Sequence, residues 1–248
     1  MRKQHSLQKE LLSFTLLLSL VFSLTSCGTS TNKTMGTTAD SLQESDPAPV
    51  STVDAVSAAT ADRYRTGEVR EYKGMLLDPA VGPRDNSISG VQDIDMDTYT
   101  LKISGLVDKQ VELTYDEVKE LTSYERLITL FCVEGWDATI LWKGVLIEDL
   151  MNMAGIKPEA VTVIFRAADN YTTSMPLQTV LDREMILAYM ANDLPLPPEM
   201  GYPFIVVAED KLGYKWARWV TEIELSSDPD FQGFWEQNGY SNDAELSD

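Results

Sequence analysis

Histidine and cysteine are nearly missing from this chain of 248 residues, which has one histidine, His5, and two cysteines, Cys27 and Cys132. That leaves too few soft ligands for a Cys/His zinc site, a CxxCH haem or an iron–sulfur cluster held by this chain alone. Positive charge is scarce as well. Lys and Arg number 20 against 39 Asp and Glu, a net charge of −19, the wrong sign for gripping nucleic acid by its phosphates. No nucleic-acid partner is expected. Apolar material is plentiful, at 44% hydrophobic and 9% aromatic, which is ample for one large domain or two small ones.

Arg2, Lys3 and Lys9 precede Leu11–Leu24, an apolar or small run of 14 residues that reads as a signal-peptide core and is too short for a membrane span. Leu24-Thr-Ser-Cys27 closes it as a bacterial lipobox, so cleavage after Ser26 and a lipid on Cys27 are expected. Residues 1–26 then form a lipoprotein signal peptide. The mature chain keeps 17 basic against 38 acidic residues, a net of −21, and no histidine. Ser-His-Asp triads, Cys-His dyads and HExxH zinc chemistry are excluded by that inventory. Residues 27–62 lack Phe, Tyr and Trp and are rich in Ser and Thr, the composition of a disordered tether. The expected product is a lipoprotein held to the extracytoplasmic side of a membrane, with residues 63–248 as its folded domain.

Within that domain Tyr99, Leu101 and Ile103 alternate on one face of a half-buried strand ended by Gly105. Thr114-Tyr-Asp-Glu117 is a capping box that opens a helix to about Leu121. Arg126 to Cys132 reads as an apolar strand, Trp142-Lys-Gly144 as a turn, and Leu146, Ile147, Leu150, Met151 and Ala154 as a helical stripe stopped by Gly155. Val161 to Phe165 is a buried strand, Asn170 to Ser174 a loop, Pro176 the start of a helix, and Glu184 to Met190 extended. Pro203 to Ala208 and Lys215 to Leu225 are read as the last two strands, a hairpin around Gly213. The aromatic tail Phe231, Phe234, Trp235 and Tyr240 is expected to pack back on the body. The fold class is α+β with a mixed sheet.

Two features carry chemistry. Lys211, Lys215 and Arg218 gather cations around Gly213 in an acidic chain, which makes a candidate anion clamp or, more plainly, a charged hairpin end. Cys132 sits where a strand runs out into Val-Glu-Gly-Trp136; by itself it is as easily an inert core thiol as a metal ligand. Asp93-Ile-Asp-Met-Asp97 has EF-hand spacing at its start, but Thr98 and Ser104 occupy the glycine and bidentate-acid positions, so calcium is not expected.

In order, Cys132-Val-Glu-Gly-Trp136, Trp142-Lys-Gly144, Tyr171-Thr-Thr-Ser174, Leu196-Pro-Pro, Gly201-Tyr-Pro203 and Gly213-Tyr-Lys-Trp-Ala-Arg-Trp219 resemble the sulfite-oxidase-type molybdopterin oxidoreductases, most closely their single-domain bacterial branch, which includes protein-methionine-sulfoxide reductases. The likeness runs from about Asn86 to Tyr240. It implies a mixed-sheet molybdopterin-binding fold, Mo-molybdopterin as cofactor, and two-electron oxygen-atom transfer. It implies Cys132 as the molybdenum ligand, and Asn86, Ala167, Gly213, Tyr214, Lys215, Trp216, Ala217 and Arg218 at the cofactor, with Lys215 and Arg218 on its phosphate. Tyr171 is the expected substrate-side hydrogen-bond donor. Ile205 stands where relatives commonly carry an arginine, and Arg2-Lys3 is not a twin-arginine export pair. The cation missing at Ile205 favours a neutral oxygen donor, such as a sulfoxide, over sulfite as substrate, with a membrane haem or quinone as electron partner. The alternatives are a sulfite-oxidase-like activity and a lipoprotein that keeps the fold only to bind.

Overall fold

A computed structural model describes residues 52–81 and 87–246, with side chains from residue 59 onward. The signal peptide, Cys27, the first part of the tether and Asn86 lie outside the described residues.

The chain begins with α1 (Thr52–Gly67), followed by the short strands β1 (Glu71–Tyr72) and β2 (Met75–Leu76). Helix α1 starts inside the stretch read as tether. Ala55, Ala58, Ala59 and Ala61 favour helix there, a signal masked by the Ser/Thr-rich residues before them. Its C-terminal end is tied down by Glu68, whose carboxylate accepts from the Ala80 N–H at 2.8 Å and Asn192 Nδ2 at 3.0 Å.

Strands β3 (Leu101–Gly105) and β4 (Val111–Leu113) lead to α2 (Tyr115–Lys119). The capping box is present: Thr114 Oγ1 accepts from the Glu117 N–H while the Glu117 carboxylate accepts from the Thr114 N–H at 2.8 Å. Strands β5 (Ser123–Phe131) and β6 (Asp137–Leu146) form a long hairpin that runs directly into α3 (Ile147–Ala154). Ile147, Leu150, Met151 and Ala154 are buried on one face, and Gly155 ends the helix at φ 75°. Each such Leu, Ile or Met contributes about 1.5–3 kcal/mol by leaving water. Then come β7 (Thr162–Ala167), β8 (Thr172–Pro176), α4 (Leu177–Asp182), β9 (Ile186–Ala191), β10 (Leu194–Pro195), β11 (Ile205–Val207), β12 (Val220–Ser226) and the one-turn α5 (Phe234–Gln237).

Three readings of the sequence are corrected here. Trp142-Lys-Gly144 is not a turn but lies in the middle of β6. Gly144 is needed because β9 passes so close that a Cβ would overlap the Leu187 carbonyl, beside a register shift at Lys143/Gly144. Thr172–Pro176 is a strand, and the turn before it runs over Ala168–Asn170, with Asn170 at φ 67°. The last two strands do not form a hairpin. β11 joins the sheet in which β10 and β11 both pair with β9, followed by β6 and β5, whereas β12 lies in the other sheet, of order β4-β3-β12-β7-β8. Residues between them therefore cross from one five-stranded sheet to the other. The architecture is α+β, with one apolar core shared by both sheets and their helices.

Candidate functional site

The crossover between the sheets passes over the end of β5, where Phe131 and Leu212 form an isolated parallel bridge. A pocket of about 340 Å³ opens at this junction. From the β5 side come Leu130, Cys132, Val133, Glu134 and Trp136; from the β7–β8 turn, Asp169 and Tyr171; from the crossover, Gly213, Tyr214, Trp216, Arg218 and Trp219. The C-terminal segment adds Trp235 and Tyr240, and the stretch before β3 adds Ser87 and Ile88. The volume falls at the small end of ligand sites, and the aromatic walls with a few polar groups are the usual make-up of one.

Local backbone chemistry sets each group in place. The Cys132 N–H donates to Trp136 O at 2.9 Å and Gly135 N–H to Cys132 O at 3.0 Å, a tight turn in which Gly135 takes φ 85°. Cys132 is left half-buried on the wall. Gly213 faces it: a Cβ there would come within 3.3 Å of Phe131 O and 3.7 Å of Cys132 Cα. Trp216 packs at a tilt of 54°, 5.6 Å from Trp142, whose indole N–H donates to Ile128 O at 3.1 Å. Trp219 adopts φ 52°, unfavourable for a bulky side chain, and is held there by its indole N–H on Pro198 O at 2.8 Å. Asp169 is buried and its Oδ1 accepts from the Tyr171 N–H at 3.0 Å.

The cationic cluster read around Gly213 is dispersed by the fold. Lys215 does not reach the pocket. Its fully buried ammonium donates to Glu236 Oε1 at 2.5 Å, Ser174 O at 2.9 Å and Asn242 Oδ1 at 3.0 Å, so it cannot serve as an external phosphate ligand. Burial pulls its pKa down, against the hydrogen bond and charge of Glu236, which push it up; the net shift is downward. Lys211 pairs with Glu245 at 3.4 Å. Arg218 alone lines the pocket, donating from Nη1 to Glu199 O at 2.9 Å, and it passes Gly201, where a Cβ would meet its own at 2.7 Å. Gly213–Lys215 form a 3-10 turn and β12 starts only at Val220, so Lys215 and Arg218 are not residues of the last strand as read from the sequence.

Tyr171 lines the pocket, but its hydroxyl proton is committed to Tyr214 O. This corrects its reading as a substrate-side donor; the phenol oxygen can only accept. Burial, then the charges of Glu236 and Asp169, raise its pKa, while burial and Glu236 push Tyr214 up to about 12. Both phenols stay neutral. Ala217 is wholly buried with its N–H on Lys215 O, and Ala167 is buried with its N–H on Tyr171 O; neither is part of the pocket lining. The sequence reading passed over Asp169, Trp219, Trp235 and Tyr240 as site residues. Only the aromatic tail had been expected to return to the body, and it does: Phe234 lies 6.1 Å from Tyr171 and Tyr240 5.3 Å from Tyr214.

Among the described residues no group of three or more His, Cys, Asp or Glu could hold a metal.

The family described as oxidoreductase molybdopterin binding domain matches residues 88–235. The "Uncharacterized oxidoreductase YuiH" of Bacillus subtilis is 37% identical over 147 residues, 59% of this chain and 74% of that protein. The "Putative protein-methionine-sulfoxide reductase subunit YedZ1" of Azospira oryzae is 30% identical over 151 residues, 61% of this chain and 57% of its own length. The mitochondrial sulfite oxidase of Drosophila melanogaster is 28% identical over 213 residues, 75% of this chain but only 35% of the fly protein. Among solved structures, the sulfane dehydrogenase SoxCD of Paracoccus pantotrophus superposes with a TM-score of 0.54 at 19% identity, over 77% of this chain and 56% of that one, a likeness of fold. Because the family match covers more than half of the sequence and includes nearly all of the pocket, the chain belongs to the molybdopterin-binding oxidoreductases of the sulfite oxidase type.

Proposed function

We propose that this chain reduces a sulfoxide by two-electron oxygen-atom transfer on the extracytoplasmic side of a membrane, to which a lipid on Cys27 holds it. The observation that carries the chemistry is Cys132, a thiol on the wall of an aromatic pocket with no ligand cluster around it among the described residues. That poverty of protein donors fits the family's cofactor, a metal whose remaining sulfur donors belong to an organic dithiolene, and a thiolate is a suitable soft partner for it. When bound, molybdopterin supplies the two-electron redox chemistry and accepts or yields the oxygen atom.

The chain's own residues bind, orient and exclude water. Cys132 would hold the metal. Trp136, Trp216 and Trp219 offer flat walls suited to a flat ring system, and Gly213 keeps the space in front of Cys132 clear of a side chain. Arg218 is the one cation of the lining among the described residues and its anion-binding group. Tyr171 fixes the crossover through Tyr214 O.

Substrate charge follows from the same lining. Among the described residues of the lining Asp169 and Glu134 stand against Arg218, a balance that favours a neutral sulfoxide over an anion such as sulfite. The reaction balances as sulfoxide plus two electrons and two protons giving thioether and water. The electrons would come from a membrane quinol or haem partner, since neither cysteine nor histidine is present in number for a second redox centre.

The test is Cys132→Ser in protein purified from its own host, assayed with reduced viologen as donor. Wild-type protein should carry about one molybdenum or tungsten and reduce a sulfoxide. The variant should lose more than about 100-fold, since even partners behind a metal ligand cost 10- to 100-fold. Retained turnover by a metal-loaded variant refutes the assignment; sulfite oxidation in place of sulfoxide reduction refutes the substrate. Wild-type protein free of metal under every growth condition would leave a binding module.

A further inference from the structure

The outer wall of the pocket is built by the C-terminal segment, part of which lies beyond the family match ending at residue 235. Gly233 rests on β8, where a Cβ would overlap the Thr172 carbonyl. Ser174 Oγ donates to Phe231 O at 3.0 Å and Thr173 Oγ1 to Glu236 at 2.8 Å. Further on, Tyr214 Oη donates to Ser241 O at 2.7 Å and the Leu212 N–H to Ala244 O at 2.8 Å. The segment is thus fastened on both sides of the rings it delivers to the pocket, Trp235 and Tyr240.

Tyr240 stands 5.1 Å from Trp235 and 5.3 Å from Tyr214, at interplanar angles of 61° and 67°. These two neighbours fix the plane of its ring, yet it stays 39% exposed. Val133, also of the lining, is 47% exposed. Apolar side chains left uncovered around an opening mark it as a surface that a ligand completes.

We infer that Tyr240 is a specificity-determining residue: with Trp235 it holds the non-reacting flank of the substrate and selects an apolar, above all aromatic, group beside the oxygen-bearing sulfur. This rests on the sulfoxide reading given above. An aryl flank gains an offset or edge contact with the Tyr240 ring that a methyl group cannot make, a factor of about 2 to 12 in affinity.

The experiment compares kcat/KM for methyl phenyl sulfoxide and dimethyl sulfoxide in the metal-loaded protein, with calorimetric titration of methyl phenyl sulfone as an analogue that gives up no oxygen. Tyr240→Ala should lower the aryl-to-methyl ratio about 2- to 12-fold and weaken sulfone binding by a similar factor. Tyr240→Phe, which keeps the ring, should leave both at wild-type values. If the alanine variant does not fold, Tyr240→Leu keeps apolar volume without aromaticity and is read in the same way. An unchanged ratio with unchanged sulfone affinity overturns the role of Tyr240. Should wild-type protein reduce neither sulfoxide, the substrate reading falls separately, and the sulfone titration alone decides on Tyr240.

Discussion

Replacing Lys215 by methionine keeps most of the side chain's volume and removes its charge, and the structure sets the consequence. Both members of the Lys215–Glu236 pair have fully buried side chains, 2.5 Å apart. Taking away one partner leaves the other's charge stranded in the interior, which costs about 3–5 kcal/mol. The hydrogen bonds to Ser174 O and Asn242 Oδ1 go with it. Against the roughly 5–15 kcal/mol that hold a domain together, this is a large fraction. Glu236 then keeps only the Thr173 hydroxyl on Oε1, and its Oε2 has no hydrogen-bond partner among the described residues. In Lys215→Met/Glu236→Leu no charge is stranded, and the remaining cost is that of unpaired neutral groups, about 1 kcal/mol each. The double variant should therefore be more stable than Lys215→Met by about 2 kcal/mol. Urea unfolding followed by circular dichroism at constant m gives the three differences. Single losses below about 1 kcal/mol that simply add in the double variant would refute the reasoning. So would a Lys215→Met protein of wild-type stability that has lost only its molybdenum, the behaviour of a cofactor ligand.

Gly144→Ala should cost at the upper end of the roughly 1–3 kcal/mol of overpacking, because the Cβ meets the Leu187 carbonyl of a paired strand rather than a movable side chain; a thermal midpoint within a degree of wild type would contradict it. Tyr171→Phe leaves Tyr214 O without its donor and should lose about 1–2 kcal/mol of stability, while kcat falls only severalfold; a loss of about 100-fold or more, typical of a proton donor, would restore Tyr171 to the chemistry. The Glu117 carboxyl titrates below its ordinary value because it accepts from the Thr114 backbone and then from the Thr114 hydroxyl. A carboxyl depressed by folding stabilises above its unfolded pKa, and that contribution is lost as pH falls through the folded value. Thr114→Ala should thus raise the Glu117 pKa part of the way back in an NMR titration and destabilise the protein more at neutral pH than in acid.

How much of this was legible in the residues depended on how far apart the interacting groups lie. Tyr99, Leu101 and Ile103 declare their strand by alternation, and Thr114 with Glu117, or Ile147 to Gly155, declare their helices by caps and apolar spacing, because those interactions span a few residues. The ordered motifs around Cys132 and Gly213 likewise marked the two segments that meet at the pocket. The sequence could not show that β11 and β12 separate into different sheets, since either pairing satisfies the same apolar pattern. That separation makes the crossover over Cys132 and turns Lys215 inward to Glu236, 21 residues away, instead of outward to a phosphate. It also sends the Tyr171 proton to a carbonyl 43 residues along the chain. Local periods fixed the elements; the long-range choice of partners, settled only when both sheets close on one core, decided which polar groups remain for a ligand.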